Sequence, residues 1–249
     1  GRRMPPIRLY GGKLSGHSHR VELFLTLLGL PYDFVAVSAE ERRTPAFLAM
    51  NAFGQIPVID DGGVILADSN AILVYLARRY DRSGAYLPED PVTQAGVQRW
   101  LSAAAGPLAF GPAMARLVNI FPLPPEVTAT LEPARPLFAT MADRLYTVMD
   151  AHLATCAFLA ADHATLADIA LYSYTRSAPE GGVDLASRPH VRAWLERLEA
   201  LPRFLPMPAA PAHAPAAAAA RSAAKALPPW TRPSPPSMPA SRPCRPASA

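Results

Sequence analysis

Cysteine is nearly absent. Cys156 and Cys244 are the only two in 249 residues, too few for the disulfide framework of a small secreted domain. Cys156 falls among apolar residues at helical spacing and reads as a small core hydrophobe, and Cys244 falls close to the C-terminus. Cysteine, histidine and carboxylate side chains nowhere recur at metal-ligand spacing, so no metal is expected. No run of about 18 or more apolar residues and no secretory apolar segment is present, which argues against a membrane partner and makes a cytoplasmic location the default expectation. Acidic residues are missing altogether from Pro208 onward, where Arg221, Lys225, Arg232, Arg242 and Arg245 stand unopposed; the chain's formal charge of +4 therefore hides a body of −1. A nucleic-acid partner loses its electrostatic basis.

Turn formers, by contrast, are abundant and placed so as to divide the chain. Alanine, proline, serine and arginine dominate residues 207–249, with a run from Ala216 to Ala220. Such a segment buries too little surface to offset chain entropy and is expected to be a disordered tail. Residues 1–4 read as an N-terminal extension, 5–81 as a first domain, 82–90 with Gly84 and Pro88 as a linker, and 91–206 as a second domain. Pro91 suits the first turn of a helix.

Within the first domain, Ile7, Leu9 and Tyr10 mark a strand, Gly11 to His19 a polar turn, and Val21 to Leu28 a helix stopped by Gly29 and Pro31. Phe34, Val35 and Val37 give a second strand. Val58, Ile59 and then Val64, Ile65, Leu66 flank Asp60 to Gly63 as a hairpin. Asp68 and Ser69 open a helix carrying Ile72, Leu73, Leu76 and Tyr80, with Ser69 as a candidate N-cap; the orphan N–H groups there would receive a carboxylate. Pro57, between apolar strand residues, frees backbone groups for a ligand. A strand, helix, strand unit favours a parallel pair in a small α/β sheet. The second domain reads as all-helical: Val97, Trp100 and Leu101, then Met114, Leu117 and Val118, broken near Gly106, Pro107, Gly111 and Pro112; a loop at Pro122 to Pro125; a face of Leu137, Met141, Leu145, Val148, Met149 and Leu153; and two later helices through Ile169 and Trp194. Thr165 and Asp168 form a capping box and read as structural.

The turn Ser15 to Val21, the segment Thr44 to Val58 and the Asp68, Ser69 pair together resemble the N-terminal domain of glutathione S-transferases, nearest to bacterial, theta and phi members that use serine. The resemblance runs to about Pro206. It implies an α/β thioredoxin-like N-terminal domain plus an all-α C-terminal domain, an enzyme with glutathione as co-substrate, a role in detoxification and a homodimer. It also implies that Gln55 and the backbone of Ile56 before a cis Pro57 hold the cysteinyl backbone of glutathione. By the same resemblance Asp68 and Ser69 hold its γ-glutamyl end, and Arg42 and Arg43 meet its glycine carboxylate. Ala52, where the family usually has proline, is a departure.

The chemistry needs a thiolate. A free thiol ionises near pH ~8.5, and lowering that by about two units takes roughly 2.7 kcal/mol, on the order of one charge-assisted hydrogen bond plus a helix N-terminus. Ser15 is the first candidate donor; Ser18 and His17 remain alternatives. Ser15 and Ser18 stand at the spacing of a redox dicysteine pair, yet neither can exchange disulfides, so the thiol must arrive with the ligand. Leu14, Phe110, Met114, Arg116 and Tyr172 are candidates for a pocket receiving a small apolar electrophile. A glutathione-dependent isomerase, dehalogenase or peroxidase, and a non-catalytic glutathione-binding scaffold, are the alternative functions.

Overall fold

The computed structural model describes residues 5–211. The expectations for residues 1–4 and for the tail beyond residue 211 lie outside the described residues.

Four strands form one sheet in the order β2-β1-β3-β4. β1 (Ile7–Gly11) runs parallel to β2 (Tyr32–Ala36), with Leu9 opposite Phe34. It runs antiparallel to β3 (Val58–Asp61), with Leu9 opposite Ile59, and β3 turns back into β4 (Val64–Ala67). Gly62 and Gly63 both have positive φ in that turn, as a two-residue hairpin requires. Helix α1 (Gly16–Leu27) connects the parallel pair, a short α2 (Pro45–Met50) follows β2, and α3 (Ser69–Tyr80) follows β4. α1 is buried on nearly every face because β1, α3 and a helix of the second domain all lie against it. Its Val21, Leu23, Phe24 and Leu25 are fully buried, each contributing about 1.5–3 kcal/mol. The N-cap of α3 is Asp68 and not Ser69: Asp68 has φ +69° and its carboxylate accepts the Ala71 N–H at 2.9 Å, leaving Ser69 as the first helical residue.

The second domain comprises α4 (Pro91–Ala103), α5 (Pro112–Ile120), α6 (Pro125–Leu131), α7 (Arg135–Leu153), α8 (Leu166–Arg176) and α9 (Pro189–Glu199). Between α4 and α5 the chain forms a π-helical turn at Ala104–Leu108 around Pro107 and breaks at Gly111, where the interruption was expected. The stretch Pro91–Ile120 has the length and composition of a membrane span. Val97, Trp100, Leu101, Ala104 and Leu108 within it lie in the core, which accounts for its apolar character without a membrane. Two expectations are corrected. The loop at Pro122 to Pro125 runs directly into α6, and α7 buries Phe138, Ala142, Leu145, Tyr146 and Met149 while Leu137 and Val148 are exposed. Cys156 is buried just beyond α7, as expected of a small core residue.

One continuous core joins the two domains. Buried polar side chains fasten it at particular points. Asp168 accepts four hydrogen bonds: from the Thr165 N–H at 2.9 Å and hydroxyl at 3.3 Å, the Leu159 N–H at 3.0 Å and the Trp194 indole at 2.8 Å. The capping box is thus also the joint between α8, α9 and the loop before α8. His19 of α1 is 2% exposed, with Nδ1 2.8 Å from the Ser173 hydroxyl and Nε2 2.9 Å from the Leu205 carbonyl. The carbonyl can only accept, so Nε2 carries the proton and Nδ1 accepts from Ser173. Met207, assigned to the tail by sequence, is buried, and its N–H donates to the Tyr172 hydroxyl at 3.4 Å.

Asp168→Ala should lower unfolding stability in urea by about 2–4 kcal/mol, since buried donors lose their acceptor, while activity per folded molecule is kept. A loss under about 1 kcal/mol would contradict the joint. Burial pulls the His19 imidazole down to about 4. Below its ordinary value near 6.5 the unfolded chain takes up a proton that the folded chain refuses, so this contribution is intact above that pH and declines on acidification. Between about pH 7 and about pH 5 the decline should be on the order of 2 kcal/mol. His19→Gln should flatten that part of the stability profile, and an unchanged slope would reject the assignment.

Candidate functional site

A cavity of about 1400 Å³ lies between the sheet domain and the helical domain. The turn after β1 forms one wall. Ser15 is the N-cap of α1, and its Oγ accepts the Ser18 N–H at 3.2 Å. Among the described residues its hydroxyl proton has no protein acceptor, so the group remains a donor toward the cavity. Ser18 is fully buried and does not line the cavity; its Oγ accepts the Gly12 N–H at 3.1 Å. It also sits so close to Gly11 that a Cβ there would lie 2.7 Å from its Oγ, which makes Ser18 a brace of the turn. His17 does line the cavity, edge-on to Tyr174 with ring centroids 4.9 Å apart. Its Nδ1 lies 3.1 Å from Nη1 of Arg20, and burial together with that guanidinium pulls the imidazole down to about 3. An imidazole so weakly basic stays neutral near pH 7.

The second wall is the corner between β4 and α3. Asp68 takes up the Ala71 N–H, so the N–H groups of Ser69 and Asn70 are left at the positive end of α3, as at any helix start. The Ser69 hydroxyl accepts a hydrogen bond from Nη1 of Arg20 at 2.7 Å. Arg20 is 1% exposed and its Nε donates to the Ala170 carbonyl of α8 at 2.9 Å. The third wall is the segment before β3. The Ile56–Pro57 peptide is cis. β3 pairing begins only at Val58, so Ile56 lies outside the ladder. Asn51 braces this segment, its side-chain N–H donating to the Gln55 carbonyl at 2.8 Å and its Oδ1 accepting the Phe53 N–H at 3.2 Å. Gln55, Ile56, Pro57, Arg42 and Arg43 all line the cavity. Sequence reasoning assigned Asn51 no role, although an asparagine two residues before a turn residue is an Asx signal.

The helical domain closes the apolar side with Ala109, Ala113, Met114, Leu117 and Phe121, facing Leu14. Two expected pocket residues are not there. Phe110 is 58% exposed, and Tyr172 is fully buried, its hydroxyl donating to Glu199 at 2.8 Å and its ring edge-on to Phe204. Two residues along α8, about 200° around the helix, Tyr174 takes the place expected of Tyr172, and Phe121 supplies the aromatic expected of Phe110. Arg116 contributes to the wall, but its guanidinium turns to Glu180 and to the Leu14 carbonyl. The described residues hold no group of three or more His, Cys, Asp or Glu side chains able to bind a metal.

A small mixed sheet with a cis proline before its third strand, joined to a helical domain across a cleft, is the architecture of a glutathione transferase. The sequence patterns of the glutathione S-transferase N-terminal domain and C-terminal domain match residues 9–84 and 124–202. Glutathione S-transferase 3 of Zea mays is 34% identical over 84% of this chain and 99% of its own length. The crystal structure of a glutathione S-transferase from Pseudomonas fluorescens superposes with a TM-score of 0.72 at 34% identity, covering 82% of this chain and 99% of that one. A theta class enzyme from Xanthomonas axonopodis pv. citri, solved with glutathione bound, gives 0.70 at 26% identity over 80% and 95%. The chain belongs to the glutathione S-transferase family and is an enzyme.

Proposed function

We propose that the chain joins the thiol of glutathione to small apolar electrophiles, with Ser15 as the residue that holds the sulfur as its anion. The observation that carries this reading is the Ser15 hydroxyl: its acceptor side is occupied by the Ser18 N–H, its proton is uncommitted among the described residues, and it faces the cavity at the N-terminus of α1. Ser18 is buried in the turn and His17 is too weakly basic to take a proton from a thiol, which favours Ser15 over both. Along the polar walls, the Ser69 N–H group with Asp68 suits the γ-glutamyl end, the Ile56 backbone suits an extended peptide, and Arg42 and Arg43 suit a terminal carboxylate. The glutathione carried by the Xanthomonas relative supports glutathione as the ligand. In the reaction the bound thiol loses its proton to solvent, the sulfur forms a bond to the electrophilic atom, and a leaving group departs with the bonding pair. The apolar wall of Met114, Leu117 and Phe121 suits the electrophile. Exposed Phe53, at 86%, and Val92, at 83%, together with family membership, support a homodimer; a cytoplasmic detoxification role rests on family membership alone.

The chain should be retained on immobilised glutathione and should conjugate a generic aryl halide. Ser15→Ala should cut turnover about tenfold to a hundredfold, while affinity for glutathione changes little. Retention without turnover would favour the scaffold reading, and full turnover in Ser15→Ala would remove Ser15 from the chemistry. Sedimentation should give twice the mass of one chain; a single-chain mass would rule out the homodimer.

A further inference from the structure

Arg116 of α5 is 1% exposed, and its guanidinium bridges its own domain and the other. Nε donates to Oε2 of Glu180 at 2.5 Å, and Nη1 donates to the Leu14 carbonyl at 2.7 Å. Glu180 lies in the 3-10 turn Ala178–Gly181, which is held against α5 closely enough that a Cβ on Gly181 would lie 2.6 Å from the Arg116 nitrogen. The other carboxylate oxygen of Glu180 accepts the Ala210 N–H at 2.9 Å, and the Glu180 carbonyl accepts from the Asn119 side chain at 2.8 Å. The carboxylate is thus held by the Ala210 N–H and by Arg116, the Asn119 side chain holds the Glu180 backbone, and the carboxylate in turn fixes the guanidinium.

The receiving end is the peptide immediately before Ser15. Nearby hydrogen bonds within the turn are local, Ser15 N–H to the Gly12 carbonyl at 3.0 Å and Gly12 N–H to Ser18, while Tyr174 of α8 packs against the following residue, Gly16. Arg116 is, among the described residues, the side chain of the helical domain that grips that peptide. The orientation of a carbonyl sets the plane of its peptide, and the plane of the Leu14–Ser15 peptide sets where the Ser15 side chain leaves the backbone. A buried guanidinium with a fixed carboxylate behind it is a stiff hook, and substitution by an ammonium would keep the charge but not the fork.

We propose that Arg116 is a positioning residue for the reaction, reaching across from the helical domain to fix the Leu14–Ser15 peptide and with it the direction of the Ser15 hydroxyl, with Glu180 aiming the guanidinium. This rests on the reading that Ser15 holds the thiolate. Arg116 therefore acts through Ser15 and not on the electrophile.

The test uses the full chain and the variants Arg116→Met, Arg116→Lys, Glu180→Gln and Ser15→Ala. The ionisation of bound glutathione is followed by its ultraviolet thiolate absorbance, beside steady-state kinetics with an aryl halide and the affinity for S-methylglutathione, which has no ionisable thiol. Arg116→Met should raise the pH at which the bound thiol ionises by about one unit and lower kcat about tenfold, with affinity for S-methylglutathione unchanged within about twofold. Glu180→Gln and Arg116→Lys should move the same readouts in the same direction by less; they carry the test if Arg116→Met fails to fold. A merely structural tie between domains would lower the unfolding temperature and leave the thiol titration where it was, and that result overturns the proposal. If Ser15→Ala moves the titration and no Arg116 or Glu180 variant does, the proposal alone fails. If Ser15→Ala does not move it either, the Ser15 reading fails and takes the proposal with it.

Discussion

The buried guanidinium of Arg20 is the constraint on which the site depends. It sits on α1 inside the joint between domains and bonds neutral groups: the Ser69 hydroxyl, the His17 ring and the Ala170 carbonyl. Burial pulls it down to about 10, and Nη2 has no partner among the described residues. A cation held among neutral acceptors is costly, of the order of several kcal/mol before compensation. The compensation is positional. One group sets the Ser69 side chain at the start of α3, adds to the burial that keeps His17 uncharged and ties α1 to α8, so the first domain cannot relax without moving the second.

The cavity is consequently divided by origin as well as by chemistry. Its polar side comes from the sheet domain, where strand ends and helix starts leave backbone groups unpaired, and its apolar side comes largely from α5 and the residues flanking it. Helix starts and an unpaired strand end are fixed points of a fold and recognise an invariant ligand well. A wall of Met, Leu and Phe side chains recognises shape loosely. Under the proposed function, the two halves of the transfer reaction would map onto these two kinds of surface.

Much of this architecture could be read from residue order. The hairpin declares itself in Asp60 to Gly63 because paired positive φ angles need glycine there, and Thr165 and Asp168 declare a capping box. Other features were illegible for physical reasons. Asp68 and Ser69 both make good caps, and a left-handed φ at Asp68 leaves no mark in sequence. α8 is buried on nearly every side, so its apolar pattern has no phase, and Tyr172 could not be told from Tyr174. In α7 the residues Leu137 and Val148 fit a helical face that the fold does not bury. Arg20 stayed hidden, and so did the burial of Arg116, because a basic residue on a helix ordinarily marks the solvent side, and only the three-dimensional arrangement of acceptors reverses that.

The pair Arg42 and Arg43 stands at the cavity on a body whose formal charge is slightly negative. An asymmetry of that kind acts before contact, drawing an anionic visitor toward the mouth over roughly a Debye length, about 8 Å in physiological salt. Under the proposed function, capture and residence would then answer to different physics: the rate of arrival would be sensitive to ionic strength, whereas a grip by the helix starts would be largely shielded from it.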